Sequence, residues 1–152
     1  MAGVLPRGTR PFALGDDRMN PRLTAWEDKL YDLLREIDAI LEDKYGHKWP
    51  LHPSRPARGI AANPQYDGLF RITASFTAGY GSELGAGYVF RVEVVTLSQV
   101  PADVREVIEI EAAELLRRGL PTKFPGRQLS VERDGRVFKI FGDLSIHDTS
   151  GE

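Results

Sequence analysis

The sequence predicts a single α+β domain in which an antiparallel four-stranded sheet carries two amphipathic helices on one face. Two long segments have apolar residues every three or four positions, and four short segments alternate apolar and polar residues. The segments follow the order α-ββ-α-ββ, which is typical of a sheet covered on one face. The length of 152 residues suits one domain. We expect this domain at residues 20–143, between tails at 1–19 and 144–152.

The first helix is predicted over residues 21–45. Asn20 suits the N-cap, Pro21 the first helical position and Gly46 the residue after the helix. Its apolar stripe consists of Leu23, Trp26, Leu30, Leu33, Leu34, Ile37, Ile40 and Leu41. The stripe is wide, so a homodimer formed through this helix is an alternative to complete burial against the sheet.

The second helix is predicted over residues 102–118. Gly119, Leu120 and Pro121 together form a typical helix stop, because glycine adopts the left-handed conformation and proline cannot continue the helix. Glu111 falls on the apolar stripe of this helix. We expect it to be a structural carboxylate paired with a basic loop residue such as Arg58.

Two hairpins account for the four strands. In the first, alternating runs at residues 70–78 and 88–95 flank a glycine-rich connector at residues 79–87. In the second, Asp134-Gly135 predicts a two-residue type I′ turn, which would place Val131 opposite Phe138. The sheet face away from the helices is predicted to be mixed and mostly polar. Its residues are Arg71, Thr73, Ser75, Arg91, Glu93, Ser130 and Lys139.

Composition narrows the classes of function. The net charge of −2 gives no general attraction to nucleic acid, and no predicted helix has a basic face, so we expect no sequence-specific DNA binding. No apolar run approaches the ~20 residues needed to span a bilayer, and the first twenty residues lack a signal peptide. We therefore expect a cytoplasmic protein without membrane association. The chain contains no cysteine, and we expect no bound metal and no cofactor.

A local basic region contrasts with the slightly acidic chain. The proline-rich segment at residues 46–59 has no carboxylate, and arginine forks suit phosphate or carboxylate groups. The candidate binding residues in this segment and on the connector are Lys48, Trp49, His52, Arg55, Arg58 and Tyr80. The predicted partner is an acidic protein surface or a phosphate-bearing ligand. The alternative interpretation is that the basic side chains only cover the acidic surface of the helices.

Our preferred hypothesis is a small non-enzymatic binding domain that uses residues 46–59 and the connector at residues 79–87 as one surface. One alternative is an enzyme that acts on a small anionic substrate, with His47 or His52 as acid and base. That alternative requires a pocket containing a histidine and a carboxylate. Another is a structural subunit that forms homo-oligomers. The connector precedes a strand and lacks a Lys-Ser/Thr pair, so it matches neither nucleotide-binding loop.

Overall fold

The computed structural model describes residues 21–144 and confirms the predicted α+β fold. Helices α1 and α2 span Pro21–Tyr45 and Ala102–Lys123, and a 3₁₀ turn spans Pro64–Tyr66. Strands β1 to β4 span Phe70–Thr77, Gly87–Val94, Leu129–Asp134 and Val137–Gly142. The predicted N-terminal tail, the Asn20 cap and residues 145–152 lie outside the described residues.

The chain divides into two compact units, and the sheet belongs to the unit formed by residues 32–144. The other unit comprises residues 1–31 and 145–152, of which residues 21–31 are described. In that segment, Trp26 and Leu30 are buried and Leu23 is half-buried. All features of the candidate site lie in the unit of residues 32–144.

The sheet has the strand order β1-β2-β4-β3, and all neighbouring strands are antiparallel. Strands β1 and β2 pair over their whole length, from Phe70 opposite Val94 to Thr77 opposite Gly87. The central pair of β2 and β4 is much shorter, because it ends where Phe90 lies opposite Phe138. The second half of β2 therefore runs past the beginning of β4.

The register predicted for the second hairpin is wrong by two residues. Val131 lies opposite Ile140 and Asp134 opposite Val137, so the turn residues are Gly135 and Arg136. Gly135 takes the positive φ of 68° that the first turn position requires. Because side chains alternate with a period of two, a shift of two residues leaves every predicted face unchanged.

The predicted end of α2 is also wrong, since the helix continues through Gly119 and Pro121 to Lys123. One row of its buried residues recurs every four positions and continues into the residue after the helix: Ile108, Ala112, Leu116, Leu120 and Phe124. Burial of the last two offsets the missing N–H of Pro121. A Cβ at Gly119 would collide with the side chain of Leu33, so glycine allows α1 to approach closely.

The core lies between the sheet and the helices. Helix α2 contacts β2 and β3, and on α1 the ring of Tyr45 packs edge-on against Phe70 with the ring centroids 6.4 Å apart. The buried sheet residues on this face include Phe70, Ile72, Ala74, Phe90, Val131, Phe138 and Ile140. Neither described helix combines the length and apolar character needed to cross a membrane.

Candidate functional site

Arg55, the central residue of the predicted basic surface, is bound to the backbone of its own loop. Its guanidinium donates to the carbonyl oxygens of Gln65, Asp67 and Phe70, each at 2.8 Å, and of Gly68 at 3.1 Å. Burial is the main cause that lowers the pKa of this group, but an arginine remains charged. Arg55 thus joins the loop to the first residue of β1, and four hydrogen bonds direct its donors inward.

Two carboxylates hold the backbone of the same loop. Glu42 on α1 is buried, and its Oε2 accepts hydrogen bonds from the N–H groups of Leu69 at 2.8 Å and Phe70 at 3.0 Å. Oδ2 of Asp67 accepts from the N–H groups of Gly59 and Ala61. These bonds satisfy backbone donors in a segment without regular secondary structure, which accounts for its order.

A third carboxylate, Asp38, lies one turn before Glu42 on α1. It is 6% exposed, and its Oδ1 has no hydrogen-bond partner in the described part of the chain. Burial, together with the negative charges of Glu42 and Asp67, raises the pKa of Asp38 to about 7, against the lowering effect of Arg58 and Arg55. The loop therefore covers an acidic cluster whose protonation changes near neutral pH.

Arg58 and Glu111 do not pair with each other as predicted. Arg58 donates to Oδ1 of Asp43 at 2.7 Å. Glu111 instead accepts hydrogen bonds from Lys44 at 3.0 Å and from the hydroxyl of Tyr45 at 2.6 Å. The expected structural carboxylate is confirmed with different partners, and it links α2 to the end of α1.

The remaining candidate residues of the loop have varied surroundings. Lys48 and His47 are exposed, and Trp49 is half-buried. Nδ1 of His52 accepts a hydrogen bond from the N–H of Ser54 at 3.0 Å. Their role in binding stays a prediction. Within residues 21–144, no group of three or more histidine or carboxylate side chains could hold a metal ion.

The glycine-rich connector folds over the outer face of the sheet and covers Lys139. This lysine is 2% exposed, and its Nζ donates to Oγ of Ser82 at 2.8 Å and to the carbonyl oxygen of Gly85 at 2.7 Å. It also forms an ion pair with Asp134 at 2.8 Å, and that carboxylate accepts a hydrogen bond from Ser82. The hydrogen bond from Lys139 is the main cause that lowers the pKa of Asp134. Lys139 was predicted to lie on an open polar face, but it anchors the connector.

Tyr80 lies at the tip of this anchored connector and is 96% exposed. The tip and the basic loop do not form one surface. Arg55 binds the carbonyl group of Phe70, where β1 begins, whereas the connector starts after Thr77, where β1 ends. Eight residues of extended strand separate them by roughly 24 Å. The single surface proposed from the sequence is therefore not present.

A different concave site lies where the pairing of β2 with β4 ends, next to Phe90 and Phe138. This pocket, which we call the arginine cleft, has a volume of about 460 Å³, within the usual range for ligand sites. Its lining residues are Arg71, Thr73, Phe90, Arg91, Val92, Glu93, Glu109, Arg136, Val137 and Phe138. They include four consecutive residues of β2, Phe90 to Glu93. Because successive side chains point to opposite faces of a sheet, the cleft must pass along the strand edge.

The charges of the arginine cleft are incompletely compensated. Arg71 and Glu93 face each other across β1 and β2 and form a loose ion pair at 3.8 Å. For Arg91 and Arg136, no carboxylate of the described chain lies at ion-pair distance. Burial raises the pKa of Glu109 at the inner wall, although Arg133 and Arg105 oppose this effect. Two available guanidinium groups therefore border a pocket with an apolar floor.

Sequence reasoning placed Arg71 and Arg91 on a polar sheet face but did not identify a site there. Arg136 was missed entirely because it follows the Asp-Gly turn signal. The available signal was that Arg71 and Arg91 are predicted on the same face of neighbouring strands and that Arg136 lies in a turn. Whether Arg136 comes close to the other two depends on where β4 begins. The cleft contains two carboxylates and no histidine, so it does not supply the pocket required by the enzymatic alternative.

Comparisons with known proteins provide relatives whose function is not described. A family model with the description "Uncharacterised protein" matches residues 21–142. An uncharacterized protein from Borreliella burgdorferi (strain ATCC 35210 / DSM 4680 / CIP 102532 / B31) is 40% identical over 121 residues, which cover 80% of this chain and 94% of that protein. No solved structure gives a significant match. The matched region contains the sheet, both helices and the arginine cleft.

Proposed function

This chain belongs to that family of uncharacterised proteins, and from its arginine cleft we propose that it is a non-enzymatic domain that binds an anionic group. The observation that carries the proposal is the pair Arg91 and Arg136, which border a pocket of about 460 Å³ without a carboxylate partner in the described chain. A guanidinium presents several N–H donors in one plane, which suits carboxylate and phosphate oxygens.

The basic loop supports the proposal less well than the cleft does. Arg55 directs four hydrogen bonds to backbone carbonyls and Arg58 pairs with Asp43, so both have partners within the chain. Lys48 is exposed and is the best remaining candidate there. A ligand that binds the loop would therefore have Lys48 as its main cationic contact.

Location and assembly are part of this proposal. The absence of cysteine agrees with a cytoplasmic protein, because disulfides are rare in that compartment. A second copy of the chain is the alternative partner. It would use apolar residues that remain exposed on the helices, such as Ile40 at 44% and Val107 at 57%.

The proposal is tested by titrating the protein with inorganic phosphate and with glutarate while the arginine Nε–H signals are followed by NMR. We expect saturable shifts at Arg91 and Arg136. The double variant Arg91→Met and Arg136→Met should weaken binding at least tenfold, and added salt should weaken it in the parent protein. Arg118→Met, which removes an exposed arginine on α2, should leave binding unchanged.

Two results would overturn the cleft as the site. Binding that persists in the double variant would show that neither guanidinium contacts the anion. Binding that is lost in Lys48→Met but kept in the double variant would place the site on the basic loop.

A further inference from the structure

Within residues 21–144, the edge of β2 in the arginine cleft has no strand neighbour. Pairing with β4 ends at Phe90, whereas pairing with β1 continues to Val94. Strand β4 begins only at Val137, directly after the turn. Along residues 91–94, one side of β2 is therefore bonded to β1, while the other side borders the cleft at residues 91–93. After residue 94, the chain is again bonded to the basic loop, since the N–H of His52 donates to the carbonyl oxygen of Val95 at 3.2 Å.

The two sides of this edge differ in chemistry. Arg91 lies in the face of Arg71 and Thr73, away from the helices, because residues opposite each other share a face. Val92 points to the other face and is half-buried, and the rings of Phe90 and Phe138 at the floor of the cleft are already buried. An extended chain beside β2 would therefore meet the charged side chains of Arg91 and Glu93 on one face and apolar side chains on the other, in strict alternation.

We infer that the arginine cleft receives a short extended peptide with alternating acidic and apolar residues, which adds to the free edge of β2 as an extra strand. Backbone hydrogen bonds to residues 91–94 would give affinity, and alternating side chains would give selectivity, as in other cases of strand addition. Acidic residues would contact Arg91 and Arg136, and an apolar residue would cover the half-buried Val92. This inference rests on the proposed anion binding and names its partner.

Charge complementarity selects this partner over a basic or neutral peptide. The lining is net positive, because three arginines (Arg71, Arg91 and Arg136) face two carboxylates (Glu93 and Glu109). Glu93 has Arg71 as its partner at 3.8 Å, whereas Arg91 and Arg136 have no carboxylate at ion-pair distance in the described chain. A basic peptide would place like charges together in a partly enclosed pocket, where repulsion is stronger than in bulk water. Free phosphate can satisfy the arginines, but it leaves the strand edge and the apolar floor uncovered.

The experiment uses the full chain and an acetylated, amidated pentapeptide of alternating glutamate and valine. We expect saturable binding by calorimetry and slower hydrogen exchange at those amides of residues 91–94 that point away from β1. The lysine–valine peptide is the matched control and should not bind. The double variant Arg91→Met and Arg136→Met should weaken binding at least tenfold.

Backbone methylation tests strand addition separately from charge. Alternate N–H groups of a strand point to opposite sides, so only one set can reach β2. Two peptides, methylated at the glutamate or at the valine nitrogens, carry the same charge. We expect one of them to bind at least tenfold more weakly than the other.

Each outcome separates this inference from the proposed function. If both methylated peptides bind equally while the double arginine variant loses phosphate and peptide, anion binding stands and strand addition is wrong. If the double variant keeps both ligands, both proposals are wrong. If the protein alone forms a dimer that the peptide dissociates, a second copy occupies the edge and the peptide is not its natural partner.

Discussion

In the loop that leads into β1, Arg55 donates four hydrogen bonds to backbone carbonyls, whereas Arg91 and Arg136 in the arginine cleft have no carboxylate at ion-pair distance in the described chain. The two regions contain the same residue type with opposite consequences. In the loop, the positive charge organises the backbone. In the cleft, it remains available to a ligand. The density of basic residues along a sequence therefore does not identify a binding surface, because the surrounding carbonyl groups decide whether a guanidinium is free.

The strongest test of this comparison is Arg55→Met, which keeps a similar volume and removes all four hydrogen bonds. The carbonyl groups are partly buried, so we expect the free energy of unfolding to fall by about 3 kcal/mol, measured by urea denaturation. The matched control is Arg58→Met, which removes an exposed ion pair with Asp43 and should cost less than about 1 kcal/mol. Equal losses in the two variants would contradict the structural role of Arg55.

The acidic cluster beneath the loop predicts a dependence of stability on pH. The pKa of Asp38 is about 7 in the folded chain and lies above its ordinary value of 3.8, so the folded state holds this proton more tightly. The contribution of protonated Asp38 is fully present below pH 4 and is lost as the pH rises to about 7. The slope is at most about 1.4 kcal/mol per pH unit.

Asp38→Asn removes this contribution, and urea denaturation at several pH values measures it. Relative to the parent protein, the variant should gain stability as the pH rises from 4 to 7 and show a constant difference above that range. Asp43→Asn, an exposed aspartate on the same helix, is the matched control. A difference between Asp38→Asn and the parent protein that does not change with pH would show that the pKa of Asp38 is the same in the folded and unfolded states.

The smallest expected effect concerns the cleft. Arg91→Met with Arg136→Met should change the free energy of unfolding by less than about 0.5 kcal/mol, because neither guanidinium has an ion-pair partner in the described chain. Thermal unfolding without added ligand measures this. A loss comparable with that of Arg55→Met would make the cleft arginines structural, and the contrast between the two regions would disappear.

Much of the fold was predictable because local signals and global packing agree. The bounds of α1 match the prediction, and every strand face was correct, since periodicity reports burial directly. The errors occurred where local signals conflict with packing. Gly119 and Pro121 suggested a helix end, but burial of Leu120 and Phe124 extends α2 past them.

The site was less predictable than the fold because its residues come from different strands and a turn. They lie close together only in the strand register that the structure shows. Arg136 borders the cleft because β4 starts at Val137, and the Asp-Gly signal did not locate that start correctly. Likewise, the four carbonyl groups around Arg55 belong to residues that lie 10 to 15 positions later in the sequence. No local pattern marks a backbone oxygen as the partner of a distant arginine.

Lys139 affects how easily the glycine-rich connector separates from the sheet. Its ammonium bonds join the connector of the first hairpin to the second hairpin across 54 to 57 positions of sequence, with the whole of α2 between them. Detaching the connector would break the hydrogen bonds from Lys139 to Ser82 and Gly85 and expose the ammonium group to water. We therefore expect the connector to fray less than an ordinary hairpin tip and to exchange its amide hydrogens together with those of the second hairpin.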